Sequence, residues 1–175
     1  MNFHPLGQLR WLIFIGWLLF AARPALSADA APALTPLGSF MQLKADGGEH
    51  AYGHRIVLWR AGGRLVGELT YWEWNVEGQR GDFMDGTYDA KTGSVQFRVT
   101  VSRHDTQERE RSSASFSGQL KGSVLTGTLK WEGQAAQWRG ESGAEQLKLR
   151  RDRKTRPLPF GSISAWQAQP LRRYE

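Results

Sequence analysis

Hydrophobic and polar residues alternate with a period of two along much of the chain. Between residues 95 and 102, every second side chain is valine or phenylalanine and the others are polar, and residues 125–132 repeat the pattern. This alternation is typical of a β-strand with one buried and one solvated face. Further strands are predicted near residues 37–43, 52–60, 64–75, 82–90, 112–120 and 144–151.

Short glycine-containing turns separate several of these strands. The segments Ala61-Gly62-Gly63, Lys91-Thr92-Gly93 and Lys121-Gly122-Ser123 each offer glycine where a tight hairpin needs a positive φ. No stretch of the body has a sustained period of 3.6 residues, and the connections are too short for the crossovers that parallel strands need. The pattern therefore predicts an all-β fold with about eight antiparallel, up-and-down strands.

A glycine recurs at the centre of four strands, with a large apolar residue two positions away on either side. The four segments are Leu65–Leu69, Met84–Tyr88, Phe116–Leu120 and Leu125–Leu129. Because residues two apart share a face of a strand, each glycine is expected on the inward face with its apolar neighbours. Glycine weakens a flat strand, whereas a tightly coiled sheet needs space on its inner face as it closes. We therefore expect a closed β-barrel; the alternative is that glycine is merely abundant.

Residues 1–28 are predicted to be a signal peptide. Arg10 and Arg23 flank the uninterrupted apolar run from Trp11 to Ala22, which is shorter than the ~20 residues that span a bilayer and suits a signal-peptide core. Small residues from Ala25 to Ala30 provide cleavage positions. The mature protein is then expected to be periplasmic or secreted, with no stable membrane span after cleavage; an uncleaved anchor is the alternative.

Composition and charge exclude several kinds of site but do not identify the activity of the protein. The chain has no cysteine, which excludes disulfides, thiolate zinc sites and a cysteine nucleophile. Eight basic and two acidic residues lie between Lys148 and Glu175, so the basic excess belongs to the C-terminal end. We expect a barrel domain over 29–154 and a basic, proline-containing tail over 155–175. Such a tail can meet an anionic surface or an acidic partner, or it can simply be solvated; export argues against nucleic acid.

The body resembles small up-and-down barrels of the avidin-like and lipocalin-like kinds. The segments that carry the resemblance are Gly38-Ser39-Phe40, Gly63-Arg64-Leu65-Val66-Gly67, Gly86-Thr87-Tyr88-Asp89 and Phe116-Ser117-Gly118-Gln119. The resemblance covers roughly residues 37–132 and implies an eight-stranded up-and-down barrel. Phe40, Val101 and Phe116 stand where the avidin-like family has tryptophan, so biotin is not the expected ligand.

Residues that perform catalysis or bind metals form no recognisable motif. His50 and His54 are separated by about 13 Å on an extended strand, which is too far for both to reach one zinc ion. Glu68 and Glu73 flank aromatic residues on one predicted strand and are the carboxylates most worth inspecting. We predict no metal and no cofactor, assign no catalytic residue, and consider an enzyme less favoured than a binding protein.

Inward-facing aromatic residues are the candidates for ligand binding. Alternation places five of them inside the barrel: Tyr71, Tyr88, Phe97, Phe116 and Trp131. Barrels of eight strands are either filled by their own side chains or hold one small ligand, and both alternatives stay open. The sequence thus predicts a non-enzymatic module that binds a small, mainly apolar molecule.

Two tryptophans suggest a second kind of partner. Trp72 and Trp74 are expected on the outer face of one strand, where they would form an apolar patch that binds a secreted or periplasmic protein. A β-bulge near Glu73 or coverage by the C-terminal tail would remove this patch. The corresponding alternative function is an inhibitor of a periplasmic enzyme, and a third is an isomerase or cyclase on the same barrel. The sequence does not define the oligomeric state.

Overall fold

The computed structural model describes residues 32–45, 50–73, 78–102, 111–133, 136, 143–170 and 173–175. Eight strands occupy most of them, in the order β1 (Thr35–Ala45), β2 (Ala51–Ala61), β3 (Arg64–Glu73), β4 (Gln79–Tyr88), β5 (Ser94–Ser102), β6 (Arg111–Lys121), β7 (Val124–Glu132) and β8 (Ala144–Arg151). The predicted signal peptide, residues 1–28, lies outside the described residues. Within the described ranges, no helix has the length and hydropathy that crossing a bilayer requires.

The strands form a closed antiparallel barrel, as the sequence predicts. Each strand pairs with its neighbours in sequence, and β8 returns to pair with β1 through Phe40 with Arg151 and Met41 with Arg150. The three glycines predicted for hairpin turns, Gly62, Gly93 and Gly122, adopt φ values of 62°, 76° and 58°. Fold class and topology thus follow from the alternation and from these turns.

Glycines on the inner face provide space for phenylalanine rings. A Cβ atom added at Gly127 would lie 2.6 Å from Cζ of Phe116, and one added at Gly67 would lie 2.4 Å from Cζ of Phe83. Gly118 is the cross-strand partner of Gly127 and has the same contact with Phe116. The repeated glycine therefore has a packing role inside the closed barrel, because the rings occupy the volume that a side chain would need.

Strand β4 departs from the prediction in two ways. It runs over Gln79–Tyr88 instead of 82–90, because the carboxylate of Asp89 accepts a hydrogen bond from the Lys91 N–H at 2.8 Å and begins a turn there. The expected inward position of Met84 is also wrong. The β3–β4 register shifts between Leu65 and Gly67, so Phe83 and Gly86 point inward while Met84 is 38% exposed.

The C-terminal segment, defined here as residues 157–170 and 173–175, packs on the outer face of β2 and β3. It contains a short helix, α1 (Ile163–Gln167), whose first turn is capped by the Ser162 hydroxyl. Its Phe160 and Trp166 form a second hydrophobic cluster with outward side chains of the barrel: Val57, Trp59, Ala61 and Val66. The outer face of these strands is consequently buried, and the consecutive apolar residues Ile56–Trp59 serve both faces of β2.

Candidate functional site

The two ends of the barrel differ in the length of their connections. In an up-and-down barrel, connections that follow β2, β4 and β6 lie at one end, and they contain two, five and two residues. Those that follow β1, β3, β5 and β7 lie at the other end and contain five to eleven residues. We call these the short-turn end and the long-loop end. Functional groups of barrels concentrate where longer loops surround an opening.

A row of polar residues enters the barrel at the long-loop end. Cross-strand pairing places Gln42, His54, Tyr71 and Gln79 side by side on β1 to β4. Each occupies an inward position, because strand alternation puts it on the same face as core residues of its own strand. Glu145 on β8 points inward by the same rule. Three connections join β1 to β4, and closure of β8 onto β1 adds Glu145, which lies about a hundred positions after Gln42 in the sequence.

These polar groups contact one another beside two aromatic rings. Nε2 of His54 lies 3.4 Å from Oε2 of Glu145, and the indole N–H of Trp131 donates a hydrogen bond to Oε1 of Glu145 at 3.1 Å. The Tyr71 hydroxyl donates to Oε1 of Gln79. The rings of Tyr71 and Trp131 meet edge to face with centroids 4.8 Å apart. We call His54, Tyr71, Gln79, Trp131 and Glu145 the mouth cluster.

The barrel interior next to the mouth cluster is apolar. Phe83 stacks on Phe97 with centroids 4.0 Å apart, and Phe97 stacks on Phe116 at 5.1 Å. Near the long-loop end, by contrast, the inward positions of β5 and β6 carry small side chains, among them Val101 and Ala114. The interior thus changes from stacked aromatic rings to a mixture of small and polar side chains toward the long-loop end.

The predicted ligand-binding residues lie at three levels of the barrel. Tyr71 and Trp131 are in direct contact at the long-loop end, and Phe97 and Phe116 stack in the middle. Tyr88 is half-buried at the short-turn end, where β4 finishes. A strand of ten residues is about 33 Å long, so one small molecule does not contact both Tyr71 and Tyr88.

Sequence reasoning missed three members of the mouth cluster. In the sequence, His54 stands out only as a candidate metal ligand, and nothing distinguishes Gln79 or Glu145. The usable signal for His54 is its place two residues before Ile56, on the inward face of a strand. Gln79 and Glu145 each lie at the start of a strand that follows a longer connection. Such a position does not show which face of the sheet the side chain occupies until the strand register is known.

The predicted outer tryptophan patch is only partly within the described residues. Trp74 lies outside them. Trp72 is half-buried, and the guanidinium of Arg55 lies 5.6 Å from the centroid of its ring. The same guanidinium lies 5.1 Å from the centroid of the Tyr174 ring in the C-terminal segment. Trp72 therefore borders the C-terminal segment.

A group of charged residues is buried beneath the C-terminal segment. Glu68 on β3 has no exposed surface and lies 2.9 Å from Arg80, 3.7 Å from Arg55 and 3.8 Å from Arg173. Arg173 also reaches Oδ1 of Asp82 at 2.6 Å. We call these five residues the outer charge cluster. Because Glu68 faces away from the barrel interior, this carboxylate anchors the C-terminal segment and takes no part in the mouth cluster.

Burial raises the pKa of Glu68 above its ordinary value of 4.5. The positive charges of Arg80 and Arg55 act in the opposite direction, and Asp82 adds to the effect of burial. Tyr174, whose hydroxyl lies 3.3 Å from Glu68, also has a raised pKa, chiefly because of its own burial. Glu73, the other carboxylate selected from the sequence, is exposed.

Comparisons with known proteins leave the site to be interpreted from its own geometry. Comparison of the chain with protein-family profiles, curated proteins and solved structures found no significant match. In the part of the chain that the structure describes, no three histidine, aspartate or glutamate side chains are grouped closely enough to hold a metal ion.

Proposed function

We propose that the protein is a non-enzymatic binding module that holds a small, mainly apolar molecule inside the barrel at its long-loop end. Eight-stranded barrels such as lipocalins and streptavidin hold one small ligand in their interior. The observation that carries the proposal is the gathering of inward polar side chains at one end of an otherwise apolar interior. Ligand sites typically combine an apolar lining with a few polar groups that fix orientation.

The mouth cluster suits a ligand with an apolar body and a polar end. Tyr71 and Trp131 offer aromatic surface, and the side chains of Val101 and Ala114, which belong to the same apolar interior, are smaller than these rings. Glu145 accepts hydrogen bonds, and the hydroxyl of Tyr71 both donates and accepts. A ligand polar group that exchanges hydrogen bonds with these side chains would be oriented toward the loops, with its apolar part deeper in the barrel.

The predicted signal peptide adds a cellular location to the proposal. The apolar run over residues 11–22, followed by small residues, supports export to the periplasm or beyond. Fractionation of the producing cells, with mass spectrometry of the N-terminus, tests this. Mature protein that begins between residues 27 and 31 is expected outside the cytoplasm, and full-length protein in the cytoplasm would contradict export.

Ligand binding can be tested with the native protein and with a fluorescent probe. Native mass spectrometry of protein from its own source is expected to show a co-purified small molecule, and the apolar dye N-phenyl-1-naphthylamine is expected to compete for the site. Glu145→Gln and Tyr71→Phe should each weaken binding of the recovered molecule about 3- to 10-fold, the effect of one lost hydrogen bond. Thr126→Ala, on the outer face of β7, is the matched control. Protein that carries no molecule and binds no dye would refute the proposal.

An isomerase or cyclase at the same site is the second candidate. The close approach of His54 to Glu145 favours it, because a carboxylate that orients an imidazole is a frequent arrangement in acid–base catalysis. The two functions differ in what happens to the bound molecule. Recovery of the same molecule after prolonged incubation supports a binding module. Conversion that stops in Glu145→Gln, while binding persists, supports the enzyme.

A further inference from the structure

The outer surface of the barrel is divided into a covered and an open part. The C-terminal segment buries the outward side chains of Val57, Trp59 and Val66 on β2 and β3. From β4 to β7, most outward side chains are instead polar, and a groove of about 540 Å³ runs across them. A volume of this size falls in the range of small-molecule sites, ~300–1,000 Å³.

Two neighbouring rows of side chains line this groove. Cross-strand pairing aligns Thr87, Gln96, Ser117 and Thr128 in one row on β4 to β7. The second row consists of Arg98, Ser115 and Lys130 on β5 to β7. Strands are spaced ~4.8 Å apart, so the first row presents hydroxyl and amide groups at regular intervals, and the two cations of the second row stand about two strand spacings apart.

The charge of the groove is suited to an anion. Arg98 has 68% of its side chain exposed and forms an ion pair with the carboxylate of Glu132. Lys130 is exposed and forms no ion pair with any described residue. Asp85 lines the opposite edge, where Arg64 at 2.9 Å compensates its charge. Arg98 and Lys130 thus outnumber Asp85 in the lining by one positive charge, and Lys130 stands beside the hydroxyl group of Ser115.

We infer that this groove binds an acidic carbohydrate. Sugar hydroxyls both donate and accept hydrogen bonds, and so do the serine, threonine and glutamine groups of the first row. A carboxylate on the sugar would lie between Arg98 and Lys130, where charge-assisted hydrogen bonds are stronger than neutral ones. Ser115 and Ser117 have short side chains, so a sugar ring can approach the strands closely.

The lining disfavours the other common partners of a basic surface. Single-stranded nucleic acid is usually held by aromatic side chains on which bases stack, and the two phenylalanines of the lining, Phe97 and Phe116, are at most 5% exposed. Apolar protein interfaces need exposed hydrophobic side chains. The large hydrophobic residues exposed in the described ranges are Leu43 and Met84, and neither lines the groove.

Titration calorimetry with hexagalacturonate tests the inference. The wild-type protein is expected to bind hexagalacturonate. It is expected to bind neutral maltohexaose, which lacks carboxylates, and hexaglutamate, which lacks sugar hydroxyls, at least about tenfold more weakly. Equal affinity for hexaglutamate would mean attraction of charge alone. Tighter binding of a single-stranded oligonucleotide, or no binding of hexagalacturonate, would overturn the inference as well.

Matched double variants locate the site. Arg98→Gln with Lys130→Gln should weaken binding of hexagalacturonate about tenfold or more, since two charge-assisted contacts are lost. Lys148→Gln with Arg150→Gln removes the same charge from the outer face of β8, outside the groove, and should change the affinity less than about twofold. Equal losses in both double variants would contradict a site in the groove. Thermal melts of all variants check that the barrel is intact, and none of these residues belongs to the mouth cluster.

Discussion

Replacement of Trp166 by alanine tests how firmly the C-terminal segment is attached to the barrel. The Trp166 side chain has no exposed surface, its ring meets that of Trp59 edge to face at 5.7 Å, and the guanidinium of Arg173 lies 3.7 Å from its centroid. Truncation of a fully buried aromatic residue costs about 3–5 kcal/mol. The aromatic pair and the cation–π contact each account for about 1 kcal/mol of such a loss.

We therefore expect Trp166→Ala to lower the free energy of unfolding by about 4 kcal/mol, a large fraction of the ~5–15 kcal/mol typical of a domain. If the segment detaches while the barrel stays folded, the loss cannot exceed the free energy of docking. Urea denaturation measures the total, and hydrogen exchange of β2 and β3 amides distinguishes detachment from global unfolding. Gln169→Ala, an exposed change in the same segment, is the control. A loss below about 1 kcal/mol in Trp166→Ala, with unchanged exchange, would refute the idea that this segment stabilises the fold.

Two further predictions concern the inner glycines and the buried carboxylate. Gly127→Ala should destabilise the barrel by about 1–3 kcal/mol, because the new methyl group would lie 2.5 Å from the carbonyl oxygen of Ser117 and 2.6 Å from Cζ of Phe116. Gly63→Ala is the control and should have little effect, because no atom lies within 4 Å of the added methyl group. Equal melting temperatures of the two variants would contradict the packing role of Gly127. The raised pKa of Glu68 means that its carboxyl group binds a proton more tightly in the folded protein than in the unfolded chain. Protonation of Glu68 therefore stabilises the fold fully below about pH 4.5, and this stabilisation is lost as the pH rises through the raised pKa. Denaturation of wild type and Glu68→Gln between pH 4.5 and 8 should therefore show wild type losing stability relative to the variant as the pH rises; a constant difference would mean an unperturbed carboxyl group.

Local features of the sequence were sufficient for the topology of the barrel. Alternation of apolar and polar residues defines a strand without reference to the rest of the chain, and glycines such as Gly62 and Gly122 mark turns through their own backbone preference. Short connections then allow only antiparallel neighbours. The predicted inward position of Met84 on β4 is wrong because a bulge interrupts the two-residue alternation there. The bulge places Met84 on the outside of the barrel and Phe83 on the inside.

The composition of the candidate site required the tertiary structure. His54, Tyr71, Gln79 and Glu145 meet because four strands align in one register and β8 closes onto β1. A shift of one residue in any strand would turn its side chains to the other face, and no local pattern specifies that register across the long connections.

Alternation by itself determined which side chains of each strand share a face, because the two-residue period is a property of the extended backbone. Only the tertiary structure decided which of those faces are buried. The outward face of β3, with Val66 and Glu68, is removed from water by a segment that begins more than eighty residues later. Burial depends on what else packs there, so the raised pKa of Glu68 and the role of Trp166 result from contacts between distant parts of the chain.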